Sequence, residues 1–477
     1  MKVNRFCSLG ILLVIIFLTS GCFGSGSHNP FQDLFRLSLE EEKKLSQMIL
    51  EEIRKQKQLV RDPYIQQYVE DVGQRIVAQI GPQPFHYNFY VLNDPNINAF
   101  AIPAGHIFIY SGLFNMLDNE SELAGVLCHE IAHSVARHIA QQIEKASKLT
   151  LPTLAAIMAG AMLGGGGEAT EAVIAGSLAG ETSLMLKFSR EDEEEADRLG
   201  FSYITQAGYD SCGIVRFLFK LAKEYGIMSG RLASYQSTHP EIIHRITYLE
   251  TMISPSRQCW GRREESGTFR RIKARSIIET RGTQSAIKYF NQQLRDDPQD
   301  LESLYGLALS YQKARNMDEA IDILEKVIAQ NPEDAEVRRD LGIVYFDARE
   351  FEKAAVYLEE ATAAMPEDVV CLYYLGRAYE EKGELDKSLE AYKQVIVLEP
   401  RYFFVYRNLG LIYDRKGLYA QSHDNLGIYF ELQGERDKAL FHFKKAQELY
   451  EKYSKEAERI EKKIKELSRE GIVDHHR

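Results

Sequence analysis

Apolar and small residues recur at a fixed interval through the second half of the chain. The interval is 34 residues, and two series of positions carry it: Pro298, Pro332, Pro366 and Pro400, and Tyr311, Tyr345, Tyr379 and Tyr413. Small residues follow the same interval at Gly342, Gly376 and Gly410. A repeat of this length is one supersecondary unit that buries its apolar face against its neighbours. The pattern therefore predicts stacked helix pairs.

This interval is that of the tetratricopeptide repeat, and we predict such a domain over residues 266–452. Leu426-Gly427 repeats the small-residue pattern only 17 residues after Leu409-Gly410, which predicts that the helix near 418–432 belongs to two repeats. Aromatic residues crowd both faces of the helix at Tyr402 to Tyr406, which we predict to bind a partner. Lys444 to Leu467 is predicted to be one long charged helix, and residues 453–477 a C-terminal helix and tail that cap the solenoid.

A different pattern marks the first half of the chain. Apolar residues with the spacing of one helical face predict a helix that begins near Glu120: Leu123, Val126, Leu127 and Ile131. Asn119 is placed to cap this helix, and its first turn is acidic. Ile107 to Tyr110 predicts a short β-strand upstream of it.

The predicted helix carries His129-Glu130-Ile131-Ala132-His133. Two His four residues apart lie on one helical face and can bind one ion, with the Glu beside them as general base. In zinc peptidases the metal lowers the pKa of a bound water to about 7 and the Glu takes its proton. We therefore predict one zinc ion per chain, with His129 and His133 as ligands and Glu130 as base. His138 faces elsewhere on a continuous helix and is predicted to be structural.

A catalytic zinc site of this kind needs a third protein ligand. Ser189 and Asp192 have the spacing of a capping box and predict a second helix, on which Glu193 and Asp197 lie one turn apart. One of these two acids can bind the metal while the other accepts the outer N–H of a ligand His. Spacing does not decide between them, and a row of acids is also typical of a solvated helix face.

Together these motifs resemble the gluzincin family that contains the CAAX prenyl protease, HtpX and the BepA-type periplasmic proteases. We predict a protease domain of this type over residues 40–265. In the family the Glu four residues before the Asp binds the metal, which implies Glu193 as ligand and Asp197 as its hydrogen-bond partner. Asn98 to Gly105 resembles the segment before the zinc helix. The strand after that segment is, in the family, an edge strand that can pair with substrate.

The resemblance extends to Ser237-Thr238-His239-Pro240 and to Arg245. It implies that His239 and Arg245 approach the zinc and polarise the substrate carbonyl, as donors aimed at a developing oxyanion would. In BepA-type members the His can also fill the fourth zinc position as a plug. For His239 the sequence leaves plugging, catalysis and simple loop packing open.

The N-terminus has the pattern of a signal peptide. Lys2 and Arg5 precede the apolar run Leu9 to Leu18, which is too short to span a bilayer. We predict that residues 1–21 are removed and that residues 22–39 form a linker. The run ends in a segment that resembles a lipobox, with Cys22 as the acylated residue, although Thr19 replaces the usual Leu and cleavage near Gly24 is the alternative. Acylation would anchor the protein without a transmembrane helix.

Two further features allow more than one interpretation. Leu149 to Leu163 is almost wholly apolar and precedes four Gly, which fits a buried helix pair or a flap over the site. Four cysteines remain besides Cys7 and Cys22, namely Cys128, Cys212, Cys259 and Cys371, and they can be paired in three ways. A Cys212–Cys259 bridge is one possibility. Cys128 lies in the apolar zinc helix and is predicted to be a small buried hydrophobe.

The predicted fold is mainly α: an α+β metalloprotease domain with a small β-sheet, followed by a tetratricopeptide solenoid. The formal charge of −11 gives no indication of nucleic-acid binding. The predicted function is a zinc endopeptidase that degrades or processes misfolded or stalled outer-membrane proteins in the bacterial periplasm, lipid-anchored to the outer membrane. Its repeats would bind unfolded substrates or the outer-membrane assembly machinery. The alternative is an assembly factor or chaperone with a latent protease domain.

Overall fold

The structure is a computed structural model of the 477-residue chain. It describes residues 37–145, 150–163, 187–225, 235, 238–253 and 267–473. The predicted signal peptide, Cys22, and the second part of the apolar segment lie outside the described residues. In the part of the chain that is described, no helix is both long and apolar enough to cross a membrane.

The N-terminal half combines helices with one small sheet. Its described helices are α1 Leu39–Gln56, α2 Pro63–Val77, α3 Glu120–Val135, α4 His138–Lys145, α5 Leu151–Met162, α6 Arg190–Gln206, α7 Cys212–Tyr225 and α8 Ile242–Met252. Its strands are β1 Asn88–Leu92, β2 Ala99–Ile102 and β3 His106–Tyr110. A 3₁₀ turn over Ser111–Asn115 leads from β3 toward α3.

The sheet has the order β1-β3-β2, with β3 parallel to β1 and antiparallel to β2. The predicted strand is therefore confirmed, but its expected position at an edge is wrong. Ala104 and Gly105, both with positive φ, reverse the chain between β2 and β3, so β2 occupies the edge instead. Among the described strands, none pairs with the outer edge of β2.

Helix α3 is buried on every side, from Glu122 to His133. Asn119 caps it by accepting a hydrogen bond from the backbone N–H of Glu122, as predicted. The predicted capping box of Ser189 and Asp192 is also present at the start of α6. Such full enclosure explains why apolar residues occur all round α3, since a helix with no solvent face needs no polar stripe.

The remaining apolar and cysteine features are partly described. Helix α5 packs its apolar residues against α1 in a shared cluster that includes Leu45, Ile49 and Met158. Cys128 is free and buried, as predicted. Cys212 is disulfide-bonded, and its partner lies outside the described residues. The pairing of Cys212 with Cys259 therefore stays a prediction.

Twelve described helices form the C-terminal half as successive antiparallel pairs. They are α9 Gly267–Arg281, α10 Thr283–Asp296, α11 Leu301–Lys313, α12 Met317–Gln330, α13 Ala335–Asp347, α14 Phe351–Ala364, α15 Val369–Glu381, α16 Leu385–Leu398, α17 Phe403–Arg415, α18 Tyr419–Leu432, α19 Arg436–Leu449 and α20 Lys455–Val473. The predicted solenoid is confirmed.

Close helix contacts at glycine explain the small-residue interval. A Cβ atom at Gly410 would lie 2.7 Å from the side chain of Leu426, and one at Gly427 would lie 2.6 Å from Phe443. Helix α18 thus packs against α17 on one side and against α19 on the other, which confirms that it belongs to two repeats. The single helix predicted from Lys444 to Leu467 is wrong. The chain turns between α19 and α20, so that Ile460 packs back against the apolar face of α19.

A cluster of charges and one aromatic ring joins the two halves. The ring of Tyr64, at the start of α2, lies between the guanidinium groups of Arg339 at 3.7 Å and Arg275 at 4.7 Å. Arg275 bridges the halves, with 2.9 Å from Nη1 to Asp62 and 2.6 Å from Nη2 to Asp340. The protease half is therefore attached to the first and third helix pairs of the solenoid, through the partly buried ion pair of Arg275 with Asp62 and through the Tyr64 ring between Arg275 and Arg339.

Replacing Tyr64 tests this attachment. Tyr64→Ala leaves two guanidinium groups without the ring between them, so we expect the free energy of unfolding to fall by about 2–3 kcal/mol. Tyr64→Phe is the matched control, since it keeps the ring and loses only the hydroxyl contact to Asp368, at a cost below about 1 kcal/mol. Urea unfolding measures both. Equal losses for the two variants would contradict a role for the ring.

Candidate active site

Two helices bring the predicted metal ligands together. Helix α3 presents His129 and His133, and α6 presents Glu193 from its first turn. Gly200 of α6 allows the two helices to approach, because a Cβ there would lie 3.3 Å from the backbone of Cys128 and His129. A larger residue at this position would require the backbones of the two helices to separate slightly.

The inner atoms of these side chains converge. The Nε2 atoms of His129 and His133 are 3.1 Å apart, and they lie 3.6 and 3.5 Å from the two carboxylate oxygens of Glu193. His239 adds a fourth group, with its Nδ1 2.9 Å from Glu193 Oε1 and 3.3 Å from His129 Nε2. One ligand atom from each of the four residues lies within 4.8 Å of all the others.

The outer nitrogen of His129 is held by Asp197. Its Nδ1 lies 2.9 Å from Asp197 Oδ1, which directs Nε2 toward the cluster. Arg245 in turn donates two hydrogen bonds to Asp197, at 2.7 and 2.8 Å. Its third nitrogen lies 2.6 Å from Glu193 Oε2. In this conformation Arg245 therefore stabilises two carboxylates, and its predicted action on a substrate carbonyl stays a prediction.

Glu130 differs from the other two acids in the site. Its side chain is fully buried, and neither carboxylate oxygen has a hydrogen-bond partner among the described residues. His239 lies beside it, with Nε2 3.6 Å from Glu130 Oε1. Burying a carboxylate without a hydrogen-bond partner costs free energy. This indicates that a bound group, rather than another side chain of the protein, completes the site.

The electrostatics at His133 and Glu193 favour the protonation states that bind metal. Burial and the neighbouring His129 lower the pKa of His133 well below its usual value, which keeps this imidazole neutral. Burial raises the pKa of Glu193, but Arg245 and His239 outweigh it, and the net pKa is well below the ordinary value. Neutral imidazoles and an ionised carboxylate are the forms that coordinate a cation. The donor set therefore fits a divalent metal ion.

Several residues around the site were not predicted. Phe188 stacks on the ring of His133 at 3.9 Å, and Tyr235 stacks on His239 at 4.6 Å. Tyr248 donates a hydrogen bond to Asp197. A signal existed for Tyr248, which follows Arg245 by three residues and so shares its helical face. No sequence signal marks Phe188 or Tyr235.

His138 was predicted to face away from the zinc-binding face, but it lies beside His133. It is buried, and its Nδ1 lies 2.9 Å from the outer nitrogen of His133. The prediction assumed one continuous helix, whereas the chain breaks between α3 and α4 at Arg137, which has a φ of 55°.

The helix pair, the His and Glu cluster and the following solenoid define a metallopeptidase domain joined to tetratricopeptide repeats. Comparison with protein families agrees: Peptidase family M48 matches residues 62–253, a tetratricopeptide repeat family matches residues 283–341, and a TPR repeat family matches residues 376–417. The chain thus contains a peptidase family M48 domain followed by tetratricopeptide repeats.

Relatives resemble the chain over its protease half. A putative beta-barrel assembly-enhancing protease of Vibrio cholerae is 33% identical over 212 residues, which is 44% of this chain and 44% of the relative. The beta-barrel assembly-enhancing protease of Escherichia coli is 31% identical over 222 residues, 46% of this chain and 44% of the relative. Mitochondrial metalloendopeptidase OMA1 of Schizosaccharomyces pombe is 32% identical over 39% of this chain and 52% of its own length. The chain thus spans about half the length of these relatives.

Proposed function

We propose that the protein is a zinc-dependent endopeptidase of the bacterial cell envelope. The convergence of His129, His133 and Glu193, with Glu130 beside them, is the observation that supports it. One imidazole pair and one carboxylate is a frequent ligand set of catalytic zinc. When bound, zinc would lower the pKa of a water to about 7 and polarise the scissile carbonyl.

Other side chains would supply the general base, orient the ligands and compensate charge. Glu130 has no hydrogen-bond partner among the described residues, so its carboxylate is available to take a proton from the attacking water and to return it to the leaving amine. Asp197 orients His129, and Arg245 compensates the negative charge of Asp197 and Glu193. Extended substrate would add as a strand to the outer edge of β2, which no described strand occupies, once the groups that bury its four residues have moved aside.

The position of His239 supports a restraint on this activity. It is fully buried and is one of the four groups of the ligand cluster. Glu130 is fully buried as well. A peptide carbonyl therefore reaches the site only after His239 moves aside. We propose that His239 fills the fourth ligand position of the resting enzyme and releases it when substrate binds.

The repeats would bind the protein substrate. An aromatic cluster at the start of α17 continues onto α15: ring centroids lie 4.1 Å apart for Phe403 and Phe404, and 5.2 Å apart for Tyr373 and Tyr402. Phe404 is 49% exposed, whereas Tyr406 is buried and belongs to the core. Only part of the predicted aromatic excess is thus free to bind a partner.

The relatives' name, beta-barrel assembly-enhancing protease, suggests the substrate class. We propose that the protein acts in the periplasm on misfolded or stalled outer-membrane proteins, and that its repeats contact the assembly machinery. Acylation of Cys22 would anchor it to the outer membrane. The sequence pattern at residues 1–22 supports this location.

The alternative function is that of an assembly factor or chaperone with a latent protease. The burial of both Glu130 and His239 favours it, since a closed site leaves the repeats as the accessible binding surface. The two functions differ in whether cleavage is needed once a client is bound.

Replacing Glu130 tests the proposed chemistry. Glu130→Gln keeps the size of the side chain and removes the base, so we expect casein cleavage by the zinc-loaded protein to fall by roughly 10²–10⁴-fold. Zinc content and thermal unfolding should stay those of the unmodified protein. Glu194→Gln is the matched control and should cleave normally, because Glu194 is a half-buried acid on α6 that pairs with Arg198 and is not one of the clustered groups. Undiminished cleavage by Glu130→Gln would reject the assignment.

Replacing His239 tests the restraint. His239→Ala empties the fourth position, so we expect faster cleavage, by roughly 10-fold if the open form is about a tenth of the population. Initial rates of casein hydrolysis at equal zinc occupancy measure this. A large decrease in rate would instead assign His239 to catalysis and refute the restraint.

The aromatic cluster can be tested without cleavage. In the Glu130→Gln background, Phe404→Ala should weaken binding of a labelled, unfolded client by at least about fivefold, because an exposed aromatic residue is a typical hot spot. Fluorescence anisotropy measures the affinity. Tyr453→Ala is the control, since Tyr453 is 79% exposed and lies outside the cluster. Equal affinity in both variants would show that the client does not bind at the aromatic cluster.

A further inference from the structure

His138 lies between a candidate metal ligand and the protein surface. Its Nδ1 is 2.9 Å from Nδ1 of His133, and its Nε2 is 3.3 Å from Oε2 of Glu195. The ring of His138 is only 1% exposed, whereas the Glu195 side chain is 59% exposed. Both nitrogens of the His138 ring are therefore engaged, one toward the site and one toward solvent.

The direction of these hydrogen bonds follows from the chemistry of the ligand. If the inner Nε2 of His133 offers its lone pair to a cation, the single proton of the neutral ring is on Nδ1. His133 Nδ1 then donates to His138 Nδ1, which must accept with its own lone pair. The proton of His138 is consequently on Nε2, where it donates to Glu195. The three groups thus form one chain with a single consistent direction.

We infer that His138 is a positioning residue that fixes the tautomer and the orientation of the metal-binding imidazole of His133. This inference rests on the proposed function only in taking His133 as a ligand. Asp197 makes the equivalent contact to the outer nitrogen of His129, at 2.9 Å. The two candidate ligand imidazoles of α3 then each have an outer acceptor, as metal-binding His residues usually do.

The backbone conformation of Arg137 creates this contact. On a continuous helix, His138 would lie well round the helix from His133. Helix α3 instead ends after Val135, Arg137 adopts a φ of 55°, and His138 begins α4 beneath His133. A left-handed conformation costs a non-glycine residue roughly 1–2 kcal/mol.

Contacts of the Arg137 side chain hold that conformation. Its guanidinium forms an ion pair with the buried Glu42 of α1 and donates to the carbonyl of Leu37 at 2.8 Å. On the opposite side, Phe188 stacks on the His133 ring at 3.9 Å. The imidazole of His133 is therefore confined by an acceptor at its edge and an aromatic ring on its face.

Simple packing of a buried His does not account for these contacts. A His retained only to fill space needs any two polar partners, whereas His138 contacts the one nitrogen of His133 that a metal leaves free. Removing an outer partner of a metal ligand typically weakens metal binding by about 10–100-fold. A packing role predicts lower stability with unchanged metal affinity.

The experiment compares His138→Phe with His138→Asn in the full-length protein. Phe fills the space without an acceptor, whereas the Asn side chain places an oxygen near the position of Nδ1. The zinc dissociation constant is measured by chelator competition, and urea unfolding of the metal-free proteins is the second readout. We expect about 10–100-fold weaker zinc binding for His138→Phe. For His138→Asn we expect zinc affinity within a few-fold of the unmodified protein.

Two results would overturn the inference: unchanged zinc affinity in His138→Phe, or equal losses in the Phe and Asn variants. His138→Leu, smaller and also without an acceptor, replaces the Phe variant if that protein does not fold. Casein cleavage separates this inference from the proposed function. Zinc binding by the unmodified protein without cleavage would reject the peptidase alone, whereas cleavage with unchanged zinc affinity in His138→Phe would reject the role of His138 alone.

Discussion

The ion pairs of Arg245 with Glu193 and Asp197 make it possible to bury the carboxylates of the site together. Three carboxylates, those two and Glu130, are buried in one cluster. Burying an unpaired ionised carboxylate costs several kcal/mol, so the cluster requires positive charge. Arg245 supplies it to two of the three, through distances of 2.6 and 2.7 Å. Glu130 remains without such a partner, and a bound cation is the compensation that the donor set is suited to receive.

The need to compensate buried charge also makes the geometry of the candidate ligands depend on one short segment, residues 238–245. His239 and Arg245 are six residues apart, and the backbone N–H of Arg245 donates to the carbonyl of Glu241 between them, at 3.1 Å. Phe188, which stacks on His133, donates its N–H to Thr238 at 3.1 Å. This segment therefore carries His239, contributes the charge compensation by Arg245 and contacts the residue whose ring stacks on His133. The proposed restraint and the candidate metal ligands thus depend on the same part of the chain.

The parts that sequence predicts well are those set by local spacing. His129 and His133 share a helical face, Ser189 and Asp192 cap a helix, and the 34-residue interval requires close contacts such as Gly410 with Leu426. Features set by chain reversals were missed. The turn at Ala104 makes β3 the central strand, and the left-handed Arg137 brings His138 under His133. A positive φ at a residue other than glycine has no clear mark in the sequence, because distant contacts such as Arg137 with Glu42 stabilise it.

Opening of the site by a movement of His239 would change which groups compensate the buried carboxylates. If His239 leaves, the cluster loses a ring that lies 2.9 Å from Glu193 and 3.6 Å from Glu130. Glu193 would then depend more strongly on Arg245 and on a bound metal, and Glu130 on the metal alone. A substrate can favour the open form only by as much as it binds that form better than the closed one. If His239 is a fourth ligand as proposed, its release would leave a bound cation with three protein ligands, and the residues that position them, Asp197 at His129 and His138 at His133, would then matter most.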